Sequence, residues 1–282
     1  MLALTCPAQN YAWGRPADKS QVAQLAKANG VAIDESKPFA ELWMGTHPSG
    51  PALIAGSGTT LKAWIEQHPE ALGEAVTKRF GSDLPYLFKV LSVETALSIQ
   101  SHPDKKLAER LHASNPRDYR DGNHKPEMAL ALEGFSALCG FVSHEELKQA
   151  LRANEELRAV VGEGPSAALL EAEGDGVKPA LKAAFTALMT ADPATVSAAI
   201  DGLTARLAAK AGAKGGALAP KEALVLQLNG QYPGDVGVLS AFFLNYLTLP
   251  AGEAIYLAAN EPHAYVSGEL VECMAASDNV IR

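Results

Sequence analysis

Two short polar motifs contain the residue types that bind a metal ion. Gln100 and His102 are separated by one residue, and Lys125 and Glu127 are spaced in the same way. In an extended strand, side chains two residues apart project from the same face. The spacing therefore predicts a face carrying an amide and an imidazole, and a second face that adds a carboxylate ligand with a cationic neighbour.

A further donor must come from a distant part of the chain. His263 is the best candidate, because it follows a strand-like run and a Pro turn that could direct its imidazole inward. Two imidazoles, a carboxylate and an amide oxygen suit zinc or a similar divalent ion. The alternative without a metal is an ordinary ion pair between Lys125 and Glu127 beside a satisfied polar pair.

The composition is typical of a folded globular protein. The 282 residues are 48% hydrophobic and 20% charged, enough for one large domain or two ordinary ones. The net charge of −8 argues against a nucleic-acid partner, since phosphate-backbone binding needs a basic face.

No apolar run approaches the roughly 20 residues that span a bilayer, and no leader pattern is present, so we expect no membrane contact and a cytoplasmic protein. Three cysteines without metal-ligand spacing indicate reduced thiols.

Strand patterns lie on both sides of a helical stretch. Strand-like runs joined by Gly and Pro turns occupy residues 1–142 and 228–282, whereas residues 143–227 are rich in Ala, Leu, Glu and Lys and begin with a capping box. This order predicts a mainly β fold with an α insertion, in which distant segments close one jelly-roll-like barrel around the metal site. The inserted helical subdomain is expected to carry no chemistry, and His144 in its first turn is predicted to face solvent.

Three further local predictions bear on the site. Lys89 interrupts an apolar strand and must either extend outward or meet an anion inside. His47 lies among turn-forming residues, where an anchoring or surface role is commoner than metal ligation. Residues 61–80 predict two short packing helices with a break at His68 and Pro69.

Seven segments of the chain form a recognisable set. They are Gln9-Asn-Tyr-Ala-Trp-Gly, Glu41-Leu-Trp-Met-Gly-Thr-His-Pro-Ser-Gly, Leu97-Ser-Ile-Gln-Ser-His-Pro-Asp-Lys, Asn123-His-Lys-Pro-Glu-Met, Gly252-Glu-Ala-Ile-Tyr-Leu, Glu261-Pro-His-Ala-Tyr and Ser277-Asp-Asn-Val-Ile-Arg. In this order, and over nearly the whole chain apart from the helical stretch, they closely resemble the type I mannose-6-phosphate isomerase family.

The resemblance implies a cupin-type fold with a helical domain, one zinc ion per chain, and interconversion of mannose 6-phosphate and fructose 6-phosphate. A small sugar phosphate would then be the partner. Carried over by motif, the zinc ligands fall on Gln100, His102, Glu127 and His263. The remaining matches are an active-site arginine at Arg282, polar pocket residues at His124, Lys125 and Asp278, and a nearby lysine at Lys89.

The roles of these residues in an aldose–ketose isomerisation remain open at the level of sequence. Lys125 is the first candidate for the general base that moves a proton between adjacent carbons, with His124 and Asp278 as alternatives. Arg282 would hold the phosphate or the enediolate oxygens through its planar fork of donors, or it is a frayed terminal residue. A different class of function is a non-catalytic cupin whose metal only stiffens a sugar-binding module.

Family members usually continue beyond the position of Arg282. They pass through a Gly-Leu-Thr-Pro-Lys-like segment with a phosphate-contacting lysine and then a second cupin-like half. The chain is therefore either truncated or a naturally short member. We expect uncovered apolar surface that favours self-association or lowers stability. We also expect Arg282 to be poorly placed, because nothing after it fixes its backbone.

Overall fold

A computed structural model describes residues 1–213 and 215–282. They form two compact units, one of residues 1–137 with 247–282 and the other of residues 138–246. The first unit contains most of the strands and the second is mainly helical.

The helical unit is longer than the stretch of 143–227 that the composition indicates. Residues after 227 were expected to return to strands, but a helix runs from Pro220 to Gln231 and a further helical turn covers Gly237–Ser240. The Pro at the first helical position suits a helix N-terminus, and the Glu222 side chain accepts a hydrogen bond from the Ala219 amide. These local signals explain why the helical pattern continues.

The elements are numbered in chain order. The strands are β1 (Leu4–Thr5), β2 (Ala8–Gln9), β3 (Arg15–Pro16), β4 (Pro38–Phe39), β5 (Glu41–Met44), β6 (Leu53–Ile54), β7 (Tyr86–Val93), β8 (Glu127–Ala131), β9 (Phe135–Phe141), β10 (Leu244–Leu249), β11 (Ala254–Leu257) and β12 (His263–Ala275). The α-helices are α1 (Gln21–Ala28), α2 (Leu61–Gln67), α3 (Glu74–Phe80), α4 (Lys105–Ser114), α5 (His144–Ala153), α6 (Glu155–Val161), α7 (Glu163–Glu171), α8 (Val177–Met189), α9 (Pro193–Gly212), α10 (Pro220–Gln231) and α11 (Gly237–Ser240). Short 3₁₀ turns cover Pro69–Leu72 and Gly174–Gly176.

One large sheet organises the β-rich unit. Its strand order is β10-β9-β12-β7-β5-β2, and β8 pairs with both β12 and β11. The registered pairs of β5, β7, β8, β11 and β12 are antiparallel. Strand β12 is 13 residues long and connects β7 on one side with β8 and β9 on the other. The architecture confirms the predicted fold class, a mainly β, cupin-like fold with a helical insertion.

Helix α1 covers one face of this sheet. Ser20 caps its N-terminus by accepting a hydrogen bond from a backbone amide in the first turn. Val22 is fully buried in one cluster with Leu42 of β5 and Val90 of β7, and burying such a side chain contributes about 1.5–3 kcal/mol. Because side chains alternate along a strand, Lys89 projects from the opposite face. That face bounds the cavity described below.

The stretch around Gln100 is extended but is not a regular strand. Gln100 forms an isolated bridge with His263, and Ser101 forms another with Ile281. Pro103 has no amide hydrogen to continue such pairing, and α4 begins two residues later.

Two local predictions have different outcomes. The break at His68 is confirmed, because α2 ends at Gln67 and a 3₁₀ turn separates it from α3. The prediction that His144 faces solvent is wrong, since the ring is half-buried with Nε2 2.8 Å from the Leu169 carbonyl oxygen.

Among the described helices, no single one is both long and apolar enough to cross a membrane. The pair Gly174–Met189 and Pro193–Gly212 would reach that length and composition together, but the two helices are bent by 96°.

Candidate metal centre

A cavity of about 410 Å³ lies on the face of the sheet opposite α1. Strands β5, β7 and β12 supply much of its wall. Other parts come from Tyr11 and Trp13, the extended stretch at Gln100, the Lys125 loop with Glu127, and residues 277–282. Its polar lining residues include Glu41, His47, Lys89, Gln100, Lys125, Glu127, Tyr265, Glu272, Asp278 and Arg282.

Three buried side chains converge beside this cavity, and one of them, Glu127, lines it. His102 Nε2 lies 3.3 Å from Glu127 Oε1, and His263 Nε2 lies 3.2 Å from Glu127 Oε2. All three residues are at most 2% exposed, and one ligand atom of each lies within 4.8 Å of the others. They come from the extended stretch, β8 and β12, so the tertiary fold assembles the cluster.

The second nitrogen of each imidazole is anchored by a backbone carbonyl. His102 Nδ1 lies 2.7 Å from the Asn279 oxygen, and His263 Nδ1 lies 3.0 Å from the Glu261 oxygen. A carbonyl only accepts hydrogen bonds, so each Nδ1 carries a proton, and in the neutral ring each Nε2 presents a lone pair. In agreement, both Nε2 atoms and Oε2 of Glu127 are buried without a hydrogen-bond partner.

This donor set fits a divalent cation. The nitrogen lone pairs and the carboxylate of Glu127 repel each other unless a positive centre lies between them. Buried polar atoms without hydrogen-bond partners are also rare in native proteins. Metal-bound histidines commonly donate their other ring nitrogen to a carbonyl in this way. Two imidazoles and one carboxylate form a usual ligand set for zinc.

Gln100 and Lys125 lie beside the three converging groups. Gln100 is joined to His263 by a pair of backbone hydrogen bonds of 2.9 and 2.8 Å, and its side chain lines the cavity. Lys125 Nζ lies 3.1 Å from Glu127 Oε1. His124 is exposed and does not contribute to the cavity wall. The consecutive residues His124 and Lys125 therefore differ in position: Lys125 lines the cavity and His124 does not.

Asp278 and Arg282 border the open part of the cavity. Asp278 Oδ1 lies 3.0 Å from His47 Nε2. The loop position of His47 is as predicted, but its pairing with Asp278 was not foreseen. Arg282 is exposed at the rim, and Ile281 beside it exchanges two hydrogen bonds of 2.9 Å with Ser101. The backbone of the residue before Arg282 is therefore held in place.

Lys89 meets anions inside the cavity. Its Nζ lies 3.1 Å from Glu41 Oε2 and 3.4 Å from Glu272 Oε2, and the Tyr265 hydroxyl donates to Glu272 Oε1 at 2.8 Å. Burial lowers the pKa of Lys89, but the carboxylates of Glu272 and Glu41 outweigh burial and raise it above its ordinary value. Lys89 is therefore a fixed cation in the cavity wall.

Glu41 and Glu272 are cavity residues that the sequence did not reveal. Glu272 lies directly opposite Lys89 in the β12–β7 register, and Glu41 is two residues from Trp43, the β5 partner of Lys89. Their placement depends on strand pairing between distant segments. The only available signal was the presence of acidic residues in otherwise apolar strands.

Lys89→Met is expected to destabilise the fold strongly. The substitution leaves Glu41 and Glu272 buried without their cation, and such a loss typically costs about 3–5 kcal/mol. Urea unfolding monitored by circular dichroism measures the change. Lys62→Met is the matched control, because Lys62 pairs with Asp83 and Glu66 on the surface and should contribute about 0–1 kcal/mol. Equal effects of the two substitutions would contradict the structural importance of the buried cluster.

Two family models match the chain. The catalytic domain of type I phosphomannose isomerase matches residues 1–144, and the helical insertion domain of the same enzyme matches residues 144–244. The chain belongs to the type I phosphomannose isomerase family.

Named relatives of this phosphomannose isomerase family member share nearly half of its residues. Mannose-6-phosphate isomerase 1 of Arabidopsis thaliana is 47% identical over 99% of the chain and 66% of its own length. Mannose-6-phosphate isomerase of Mus musculus is 46% identical over 99% of the chain and 68% of its own length. The chain thus spans about two thirds of the length of these curated relatives.

Solved phosphomannose isomerase structures have the same fold. A mannose 6-phosphate isomerase bound with zinc and yttrium superposes with a TM-score of 0.83 at 35% identity, covering 100% of the chain and 70% of that protein. The apo form from Salmonella typhimurium superposes with a TM-score of 0.82 at 34% identity, covering 100% and 69%.

Proposed function

We propose that this family member is a zinc-dependent isomerase that interconverts mannose 6-phosphate and fructose 6-phosphate through an enediolate. The observation that carries the proposal is the convergence of three buried, unpartnered ligand atoms beside a cavity whose lining includes Glu127 and three cationic side chains. The names of the relatives and the zinc-bound neighbour support the choice of substrate and metal.

Zinc would be held by His102, Glu127 and His263, with the Gln100 amide as a weaker fourth donor. When bound, zinc supplies Lewis acidity that polarises the sugar carbonyl and stabilises negative charge on the neighbouring oxygens. The carbonyls of Asn279 and Glu261 keep both imidazoles in the tautomer that ligation requires.

The cavity offers cations for an anionic sugar although the chain is acidic overall. Lys89, Lys125 and Arg282 all line it. Arg282 lies at the exposed rim, where its planar fork of donors could take phosphate oxygens, whereas Lys89 is fixed among carboxylates deeper in the wall. This separation would orient the substrate with its phosphate outward and its reacting carbons toward Lys125.

Lys125 would move the proton between C1 and C2 of the sugar. Its Nζ reaches into the cavity beside Glu127, at the end where the ligand atoms converge. The rival His124 is exposed and outside the cavity wall, so its imidazole is poorly placed. Asp278 also lines the cavity, where its carboxylate contacts His47, and it is the alternative group for the proton transfer.

Gln100→Ala is expected to weaken zinc binding less than His102→Ala does. An amide oxygen is a weaker donor than an imidazole, and Gln100 is only partly buried. Competition with a chromophoric chelator measures the two dissociation constants for zinc. Gln67→Ala, an exposed position at the end of α2, is the control that should leave affinity unchanged. Equal zinc retention by the Gln100 and His102 variants would contradict this ranking.

The proposed activity is tested by a coupled assay with mannose 6-phosphate at measured zinc content. Turnover that disappears on chelation and returns with added zinc is the expected result. Zinc and sugar phosphate bound without turnover would instead favour a non-catalytic, metal-stabilised sugar-binding cupin. No binding of either would reject both functions.

A further inference from the structure

One short segment, Ala276 to Asn279, connects the metal centre with the open cavity. The backbone carbonyl of Asn279 anchors His102 Nδ1 at 2.7 Å. The side chain of Asp278, one residue earlier, lines the cavity and meets His47. The position of this segment therefore sets both the orientation of a ligand imidazole and the placement of a cavity carboxylate.

Asp121 holds this segment from the loop that follows α4. Its Oδ1 accepts hydrogen bonds from Ser277 Oγ at 2.9 Å and from Asn279 Nδ2 at 3.2 Å. Its Oδ2 accepts from the Asp278 backbone amide at 3.0 Å. Its backbone carbonyl accepts from Asn279 Nδ2 at 2.7 Å. A single carboxylate thus contacts three consecutive residues.

The donors that Asp121 satisfies are largely removed from water. Ser277 is 7% exposed and Asn279 is fully buried. Without the carboxylate, the buried Ser277 hydroxyl would keep only a long contact of 3.3 Å to the Asn123 oxygen, and the amide of the exposed Asp278 would be left to water. Asn279 Nδ2 would keep the carbonyl oxygens of Asp121 and Asn123 as acceptors, at 2.7 and 2.9 Å. A buried hydroxyl with one long contact is costly, so the segment would shift at Ser277.

We propose that Asp121 is a positioning residue of the metal centre, which acts on His102 through Asn279 and on the cavity through Asp278. The inference rests on the proposed zinc site. Loss of an outer partner of a metal-bound histidine typically weakens affinity by about 10–100-fold. Asp121→Ala leaves the Asn279 carbonyl in place and only loosens its support, so it should weaken zinc binding by about 10-fold, the lower end of that range.

The test compares Asp121→Ala, Asp121→Asn and Asp118→Ala in the 282-residue chain. Asp121→Asn keeps an Oδ1 acceptor for Ser277 and Asn279 but turns its amide toward the Asp278 N–H, so it should keep most of the zinc affinity. Asp118 is exposed and pairs with Asn115 alone among the described side chains, so its removal should change nothing. Zinc affinity is measured by chelator competition.

A second measurement separates positioning from simple loss of folding. Circular dichroism checks that each variant is folded, and NMR of ¹⁵N-histidine-labelled, metal-free protein reports the His102 tautomer. The Nδ1–H form should dominate in the wild type and be reduced in Asp121→Ala. A folded Asp121→Ala chain with unchanged zinc affinity and tautomer would overturn this inference and leave the proposed function standing. Absence of zinc binding by the wild type would overturn the proposed function itself.

Discussion

His102→Ala is expected to abolish stable zinc binding and, with it, isomerase activity. The substitution removes one of two imidazoles whose Nε2 atoms face Glu127 and leaves that carboxylate buried at 2% exposure. The loss of zinc affinity should be larger than the roughly 10–100-fold loss that follows removal of a group hydrogen-bonded to a metal-bound histidine. Elemental analysis after dialysis, with turnover measured on the same sample, gives both quantities.

His112→Ala is the matched control for His102→Ala. Its ring is also anchored through Nδ1 to a backbone carbonyl, 2.6 Å from the Tyr119 oxygen, but it lies on α4 and is not part of the cluster of His102, Glu127 and His263. Zinc content and turnover should match the wild type. Retention of a full equivalent of zinc by His102→Ala would show that the ion, if bound, is held by other groups.

Lys125→Met should lower turnover by at least ~10²-fold while zinc remains bound. The side chain keeps a similar length but loses the amine that lies 3.1 Å from Glu127 Oε1. Because Met cannot carry a proton, transfer between C1 and C2 should fail although substrate still enters. The comparison uses kcat at saturating mannose 6-phosphate and equal zinc content.

Lys106→Met controls for the loss of one positive charge, since Lys106 is exposed on α4. It should leave kcat unchanged. A mild effect of Lys125→Met together with a severe effect of Asp278→Asn would assign the proton transfer to Asp278. A severe effect of His124→Ala would contradict the assignment drawn from its exposed position.

The sequence led to the converging side chains that we propose as metal ligands because their spacing reflects backbone geometry. Gln100 and Lys125 lie next to the converging groups even though the first stretch forms only isolated bridges. An extended backbone is sufficient to place alternate side chains on one face, whether or not a regular strand forms. His263 was found because a proline turn precedes it and limits the directions that its side chain can take.

The residues that surround the ligands depend on contacts between distant segments. Glu41 and Glu272 reach Lys89 through the registers of β5, β7 and β12, which no local pattern reveals. Asp121 reaches Asn279 across 158 positions of sequence. The class of fold could be predicted from the order of strand and helix patterns. These tertiary contacts could not, because they join segments that are far apart in the sequence.

Anomalous X-ray scattering at the zinc edge, from crystals of protein purified without chelators, tests the central claim most directly. We predict one peak per chain, within ligand distance of His102 Nε2, His263 Nε2 and the Glu127 carboxylate. A well-ordered structure with no peak among these three side chains, or with a peak at a different site only, would contradict the proposed zinc centre.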